Sequence, residues 1–359
     1  MQKILKLISV SLLTISLAAC STSTATEDAT ELYGCNTLNV YNWGEYIGED
    51  VIANFENEYG VKVNYSLYDS NEVLYTKLQS GTKYDVLFPS DYMIERLIDE
   101  DLLQPLDRSL ITNFDKLDPS VVGLSYDPDN EYSIPYFRGN VGLVYNTKNV
   151  DAATIEAEGF NVYHDEQFKG RVFVYDSQRD SFMMALKALG YSANTTDEEE
   201  LNEAFEWLIE MDNTVDPAYV TDEVIDAMLN SEKDIALVYS GDAAYILSEN
   251  PDMAYYAPND SGTNIWSDAM VIPANSECAT LANVFINYMT SDEVAYENSD
   301  YVGYTSTNLD ALTKLSADDG TYGGNAAYLP IASDNDEIFQ YSPEQVEIIS
   351  DLWVKVKNN

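Results

Sequence analysis

The stretch "LNVYNWGEYIGEDVIANFENEYGVKVNYSLY", Leu38 to Tyr68, decides the fold. "LNVYNW" reads as a strand, and "EDVIANFENEYG" reads as a helix that stops on Gly60. "VKVNYSLY" then alternates apolar and polar residues, as a strand does. A strand, a covering helix and a second strand make a unit of parallel sheet. The first strand runs straight into Trp43, Gly44, Glu45 and Tyr46. A strand end that offers rings and carboxylates together points to a site built to hold something.

The alternation continues outward. "SNEVLYTKLQSG" is a helix opened by Ser70 and closed near Gly81. "YDVLFPS" is a short buried strand and "YMIERLIDEDLL" a helix. Ligands of open α/β sheets bind at the carboxyl ends of the strands, so Trp43, Ser90 and Tyr92 are expected on one rim. Downstream, "GNVGLVYNTK" reads as a strand, and "RVFVYDSQRD" as a strand leading into the helix "SFMMALKALG". "TTDEEELNEAFEWLIEMD" opens with a capping box of Thr196 and Glu199. "KDIALVYSGDAAYILSEN" is a strand, a turn and a helix. "WSDAMVIPAN" is a strand and "LANVFINYMTSDEVAYENSD" a helical stretch. The sum is two α/β halves.

The chain has 359 residues, enough for two domains with full cores, and is 45% hydrophobic, so it is globular. Acids number 62 against 18 basic residues, a formal charge of -44. Such a surface repels nucleic acid and draws in cations. The charge also reads simply as the solvated surface of a secreted protein. Tyr is plentiful, 28 residues, and suits wet clefts with its flat ring and polar tip. The single His, His164, excludes His-based triads and His metal sites.

"MQKILKLISVSLLTISLAAC" is a charged start, a short apolar run and a small-small-Cys ending. It resembles a bacterial lipoprotein signal, residues 1–20, with Cys20 as the lipidated first residue of the mature chain. Residues 21–35 follow as a polar tether. The expected location is the outer face of the cell membrane, in the periplasmic space or at the cell surface. Cys35 and Cys278 remain, either as one disulfide or as two separate buried thiols.

"YNWGEYIG", "YDSNEVLYTKLQSGTKYDVLFPSDY", "ITNFDKLDPS", "YSIPYFRGNVGLVYN", "ALKALGYSANTTD", "WSDAMVIPAN" and "VGYTSTN" carry a family likeness. Together they resemble the spermidine/putrescine-binding proteins of bacterial ABC importers, from Leu38 to the C-terminal helix. The resemblance implies the two-lobed fold of extracytoplasmic solute-binding proteins, type II-like, with a mostly parallel sheet in each lobe and ligand between them. Lobe 1 would be 36–140 plus 266–312, and lobe 2 would be 141–265 plus 313–359. Both Cys35 and Cys278 then fall in lobe 1, which favours the disulfide.

A polyamine is a row of ammonium groups joined by methylenes. It needs carboxylates for the charges and aromatic walls for the methylenes. By the resemblance, Trp43, Gly44, Tyr46, Ser90 and Tyr92 line lobe 1, Asp91 between the last two being read as surface. In "VYDSQRDSF", Asp180 matches an amine-binding acid. Ser177 stands where spermidine binders carry a further acid, with Asp176 beside it as a stand-in and Arg179 read as an ion-pair partner. Tyr239 takes the place of a family Trp. Asp242 leans towards putrescine or dual use, and also reads as a helix N-cap. Trp266 and Asp268 match a ring and the carboxylate for a terminal amine. Tyr304 matches another wall, and Gln340 a late amide contact. No cofactor, metal or catalysis is implied. The expected partners are the polyamine, the permease subunits and the membrane through the lipid anchor, and the protein is expected to be a monomer. Rival readings are a receptor of the same fold for ferric iron or thiamine, an exported hydrolase using two carboxylates, and a receptor kept as an adhesin or sensor input.

Overall fold

The structure is a computed structural model that describes residues 29–330 and 332–359. The signal segment, Cys20 and the first part of the tether lie outside the described residues. Within the stretch read as tether, Ala29–Tyr33 form a short helix.

Ten strands follow in chain order: β1 Thr37–Trp43, β2 Lys62–Tyr68, β3 Val86–Leu87, β4 Ser133–Asn146 and β5 Val172–Tyr175. They continue with β6 Ala218–Val220, β7 Ile235–Tyr239, β8 Met253–Tyr256, β9 Ile265–Val271 and β10 Thr305–Ser306. The main order is β2-β1-β3-β9-β4-β7-β5-β6, with β8 and β10 also pairing with β4. The sheet is mixed. β1 runs parallel to β2 and β3, and β5 runs parallel to β6 and β7. β4 and β9 run antiparallel to their neighbours, which the reading of mostly parallel lobes does not include.

β4 organises everything else. Its residues from Ser133 to Asn140 pair with β9, and from Val141 onward it pairs with β7. One strand thus serves two half-sheets. The registers Gly139↔Trp266 and Val141↔Tyr239 bring the start of β9 and the end of β7 to the same point. The carboxyl ends of β1 and β3 therefore face those of β5 and β7 across Asn140.

Local chemistry explains the covering helices. Val51–Tyr59 stops at Gly60, whose φ of 67° is open to glycine at little cost. Asn71–Gln79 starts where Ser70 Oγ accepts from Val73 N at 3.2 Å. The helix Gln178–Leu189 begins earlier than its apolar run, because Ser177 Oγ caps it by accepting from Asp180 N. For Glu198–Val215 the cap is Asp197 and not Thr196: its carboxylate accepts from Glu199 N and Glu200 N. The helical stretch after Cys278 breaks at Thr290 and Ser291 into Ala279–Met289 and Asp292–Val302.

Leu38, Val40, Phe55 and Phe285 pack one face of the first half-sheet. Phe173, Met228 and Ala244 pack one face of the second. A further core, including Tyr41, Leu87, Leu143 and Phe182, is common to both. Cys35 and Cys278 are joined by a disulfide, with Cα atoms 5.7 Å apart, so the start of β1 is stapled to the helix Ala279–Met289.

Candidate functional site

On the first half, the ends of β1 and β3 meet the start of β9. Trp43 Nε1 donates to Phe88 O at 2.8 Å, which fixes the indole against Tyr68. Tyr46 O–H donates to Asp268 Oδ2 at 2.8 Å. Ser90 bridges to Asp268 along the backbone, and its Oγ accepts from Asn71 Nδ2. Tyr92 O–H donates to Glu72 Oε1. Trp266 lies so close to Gly139 that a Cβ there would meet its ring at 2.6 Å.

The second half presents two acids. Asp180 Oδ2 accepts from Ser177 Oγ and from Tyr239 O–H, both at 2.6 Å. Asp242 accepts from Tyr175 O–H at 2.7 Å and from Tyr304 O–H at 2.9 Å. Tyr304 belongs to the first half, so Asp242 is held from both sides. Gly241 allows this: any Cβ there would strike the Tyr304 ring, 2.2 Å away. Tyr175 stacks on Tyr239 at 4.4 Å, and Trp266 stands edge-on to Tyr304 at 5.3 Å. The result is a chain of rings and carboxylates running from Asp180 to Asp268.

Burial sets the charge state. It pushes Asp268 up to about 7, while Ser90 and Tyr46 pull the other way. It pushes Asp242 up to about 6 against its two tyrosines. It raises Asp180 too, opposed first by Ser177 and Tyr239. The phenols of Tyr46, Tyr239 and Tyr304 are pushed well above their ordinary range, first by burial and then by the adjoining carboxylates. Among the described residues, no Lys or Arg stands within ion-pair distance of Asp180, Asp242 or Asp268. The site is an acidic seam walled by rings, whose carboxylates take their side-chain hydrogen bonds from hydroxyls.

A model of the family "Bacterial extracellular solute-binding protein" matches residues 50–323. The chain belongs to that family. A spermidine/putrescine-binding periplasmic protein of Salmonella typhimurium is 34% identical to this solute-binding protein, covering 78% of its chain and 80% of the relative. The putrescine-binding periplasmic protein PotF of Escherichia coli is 29% identical, covering 90% and 91%. The solved spermidine/putrescine ABC transporter substrate-binding protein PotD of Streptococcus pneumoniae superposes with a TM-score of 0.75 at 34% identity, covering 90% and 99%. The fold is the two-lobed one of these proteins.

Within this solute-binding protein, eleven of the twelve residues expected at the site converge on the seam or its mouth. Gly44 lies at the mouth, where a Cβ would stand 3.6 Å from Asp222 Oδ2. Gln340 is the exception. It is exposed, and its backbone N–H donates to Asn194 Oδ1, while its neighbour Phe339 turns inward onto Tyr92. Asp91 is buried, at 1% exposure, and not on the surface. Asp176 does not stand in for an acid at Ser177: it is exposed and paired with Lys357 Nζ at 3.0 Å. Asp242 is not the cap of its helix, which Tyr239 precedes. Arg179 has no carboxylate within ion-pair distance among the described residues and lies over the Tyr92 ring instead. Tyr175, Asp222 and Phe339 were not singled out from sequence. Tyr175 alone carried a signal, as the last residue of a strand that runs into "DSQRD".

Proposed function

We propose that the protein binds a polyamine between its two lobes and delivers it to an ABC importer. The observation that carries this is the set of three acids, Asp180, Asp242 and Asp268, each supplied with hydroxyl donors but with no Lys or Arg in ion-pair contact among the described residues. Buried carboxylates in that condition favour an incoming cation over water. The rings of Tyr46, Tyr239, Trp266 and Tyr304 between them supply apolar walls and π faces for methylenes and ammonium groups. The names of the relatives agree with this ligand class.

In this reading lobe 1 is 36–140 plus 266–312 and lobe 2 is 141–265 plus 313–359. The change of partner along β4 at Asn140 and Val141 supports the first boundary. The chain is exported, lipidated on Cys20, held at the outer face of the membrane, and docks on permease subunits when closed. No helix among the described residues is long and apolar enough to cross a membrane. With Ser177 in place of an acid and Asp176 turned to Lys357, the slot suits a diamine at least as well as a triamine.

Ferric iron held by tyrosine oxygens fits less well. That chemistry needs phenols that ionise readily, and burial beside carboxylates drives these the other way. Calorimetric titration of the ligand-free protein with putrescine, cadaverine, spermidine and spermine tests the reading. One-to-one binding at micromolar or tighter for one or two of them is the expected result. No binding of any of the four to folded protein overturns it.

A further inference from the structure

Arg179 is a guanidinium at the seam whose part in the site is not accounted for by ligand binding. It lies in the first turn of the helix Gln178–Leu189 of the second half, two residues after the cap Ser177. Its Cζ lies 4.0 Å from the centroid of the Tyr92 ring, which belongs to the first half, and 5.2 Å from that of Phe339. Tyr92 and Phe339 themselves meet edge-on at 6.2 Å, so the guanidinium sits in a two-ring clamp. Phe339 lies in the segment that ties the halves together. Gln340 N donates to Asn194 Oδ1 on one side, and Tyr341 N donates to Glu95 Oε2 on the other.

The residue before Tyr92 is the buried Asp91. Its carboxylate accepts only from backbone in the hydrogen bonds described, from Tyr92 N at 2.7 Å and Ser267 N at 3.3 Å. Burial pushes its carboxyl up to about 8; of the charged groups that reach it, Asp268 from β9 pushes it further up, and Arg179 from the second half pulls it back down. Arg179 acts on Asp180 in the same sense. A guanidinium is a poor direct contact for a cationic ligand. It is a good contact for an aromatic face, which is where Arg179 lies. Parting the two halves would take Arg179 off the Tyr92 ring and out of range of Asp91 together.

We propose that Arg179 is a closing latch: a positioning residue that docks across the seam into the Tyr92–Phe339 clamp and so favours the closed form without touching the ligand. Closure adds the same free energy whatever ligand is inside, so the latch scales affinity for every ligand by one factor. The proposal rests on the polyamine reading for its titrants only.

The test compares the wild-type protein with Arg179→Gln and Arg179→Lys. Putrescine and spermidine are titrated calorimetrically, and the closed fraction of ligand-free protein is read by single-molecule energy transfer between dyes on the two halves. Arg179→Gln is expected to weaken both amines by a common factor of about ten, in keeping with a desolvated cation–π contact. It should lower the closed-to-open ratio without ligand by a similar factor, with the melting temperature unchanged. Arg179→Lys should recover part of both. Unchanged affinities with an unchanged closed fraction overturn the latch. So does a gain for spermidine alone, which would make Arg179 a filter on ligand length. Should wild type bind neither amine, the polyamine reading fails, and the ligand-free closed fraction still decides the latch.

Discussion

In the first half, Asp268 takes its hydroxyl donors from Tyr46 and Ser90 of the same half. In the second, Asp242 takes one from its own Tyr175 and the other from Tyr304 across the seam. Asp180 resembles Asp268, with both donors, Ser177 and Tyr239, drawn from its own half. The two rims share a topology of parallel strands with an antiparallel neighbour, yet they are prepared differently. Asp268 and Asp180 draw every hydroxyl donor from their own half, whereas Asp242 needs one from each half. A carboxylate of the first kind reads as a ligand anchor. One of the second kind reads as a sensor of closure.

The sharpest way to break this distinction is Asp268→Asn. Removing the charge from a buried ion pair costs about 3–5 kcal/mol, so polyamine affinity should fall by a factor of roughly 100 or more. Asp242→Asn should cost less, about tenfold, because its share is split between ligand and closure. Equal losses by titration calorimetry would erase the difference between the rims.

Acidity sharpens it further. Both carboxyls titrate above their unfolded value of about 3.9, Asp268 near 7 and Asp242 near 6. The ligand-free fold therefore holds protons that the unfolded chain has lost, and the stability tied to these groups falls as pH climbs from about 4 to about 7. Binding has the opposite slope, since a cation needs the ionised forms. Affinity should rise from pH 5.5 to 8, by up to about tenfold per pH unit for each proton released. Asp268→Asn should flatten the upper part of that rise, and a profile unchanged by the substitution would contradict the assignment.

Tyr304→Phe removes only the cross-seam donor to Asp242. Losing one hydrogen bond while Tyr175 still serves Asp242 costs about 1 kcal/mol and should weaken binding by about fivefold, whereas a change under twofold would mean that Asp242 needs no completion from the first half. Gln340→Ala marks the small end. Its side chain is exposed, so affinity should stay within about twofold of wild type. A larger loss would bring the residue back into the site.

The parts of this molecule that could be read from sequence are those whose signals are local. β1, the helix Val51–Tyr59 and β2 follow from apolar spacing and from Gly60, all within one short stretch. The convergence of Trp43, Ser90 and Tyr92 follows from the rule that strand ends share a rim. The resemblance to a family supplied the acids, including Asp268, whose residue type alone does not separate it from 61 other acids (62 minus itself). What stayed hidden depends on chain segments far apart. That β4 begins at Ser133 and changes partners midway is fixed by β9 and β7, whose residues lie 90 or more positions downstream of those they pair with (235 minus 145 at the nearest). Asp91 looks like surface in "PSDYM" because nothing nearby tells that Ser267 will donate to it. Arg179 among acids looks like a salt-bridge partner until Tyr92 arrives from the other half.

The bond between Cys35 and Cys278 has a mechanical consequence. It turns residues 35 to 278 into a closed ring, and β5 to β8 are carried within that ring. If the chain is moored at its N-terminus, as proposed, the mooring line enters the fold at the helix Ala29–Tyr33, packed on the first half, and reaches one of the two bonded residues directly after it. A tug from the membrane then passes through the disulfide into the helix Ala279–Met289 and its own half. The second half lies off that load path, and is left to swing over the first while the anchor stays taut.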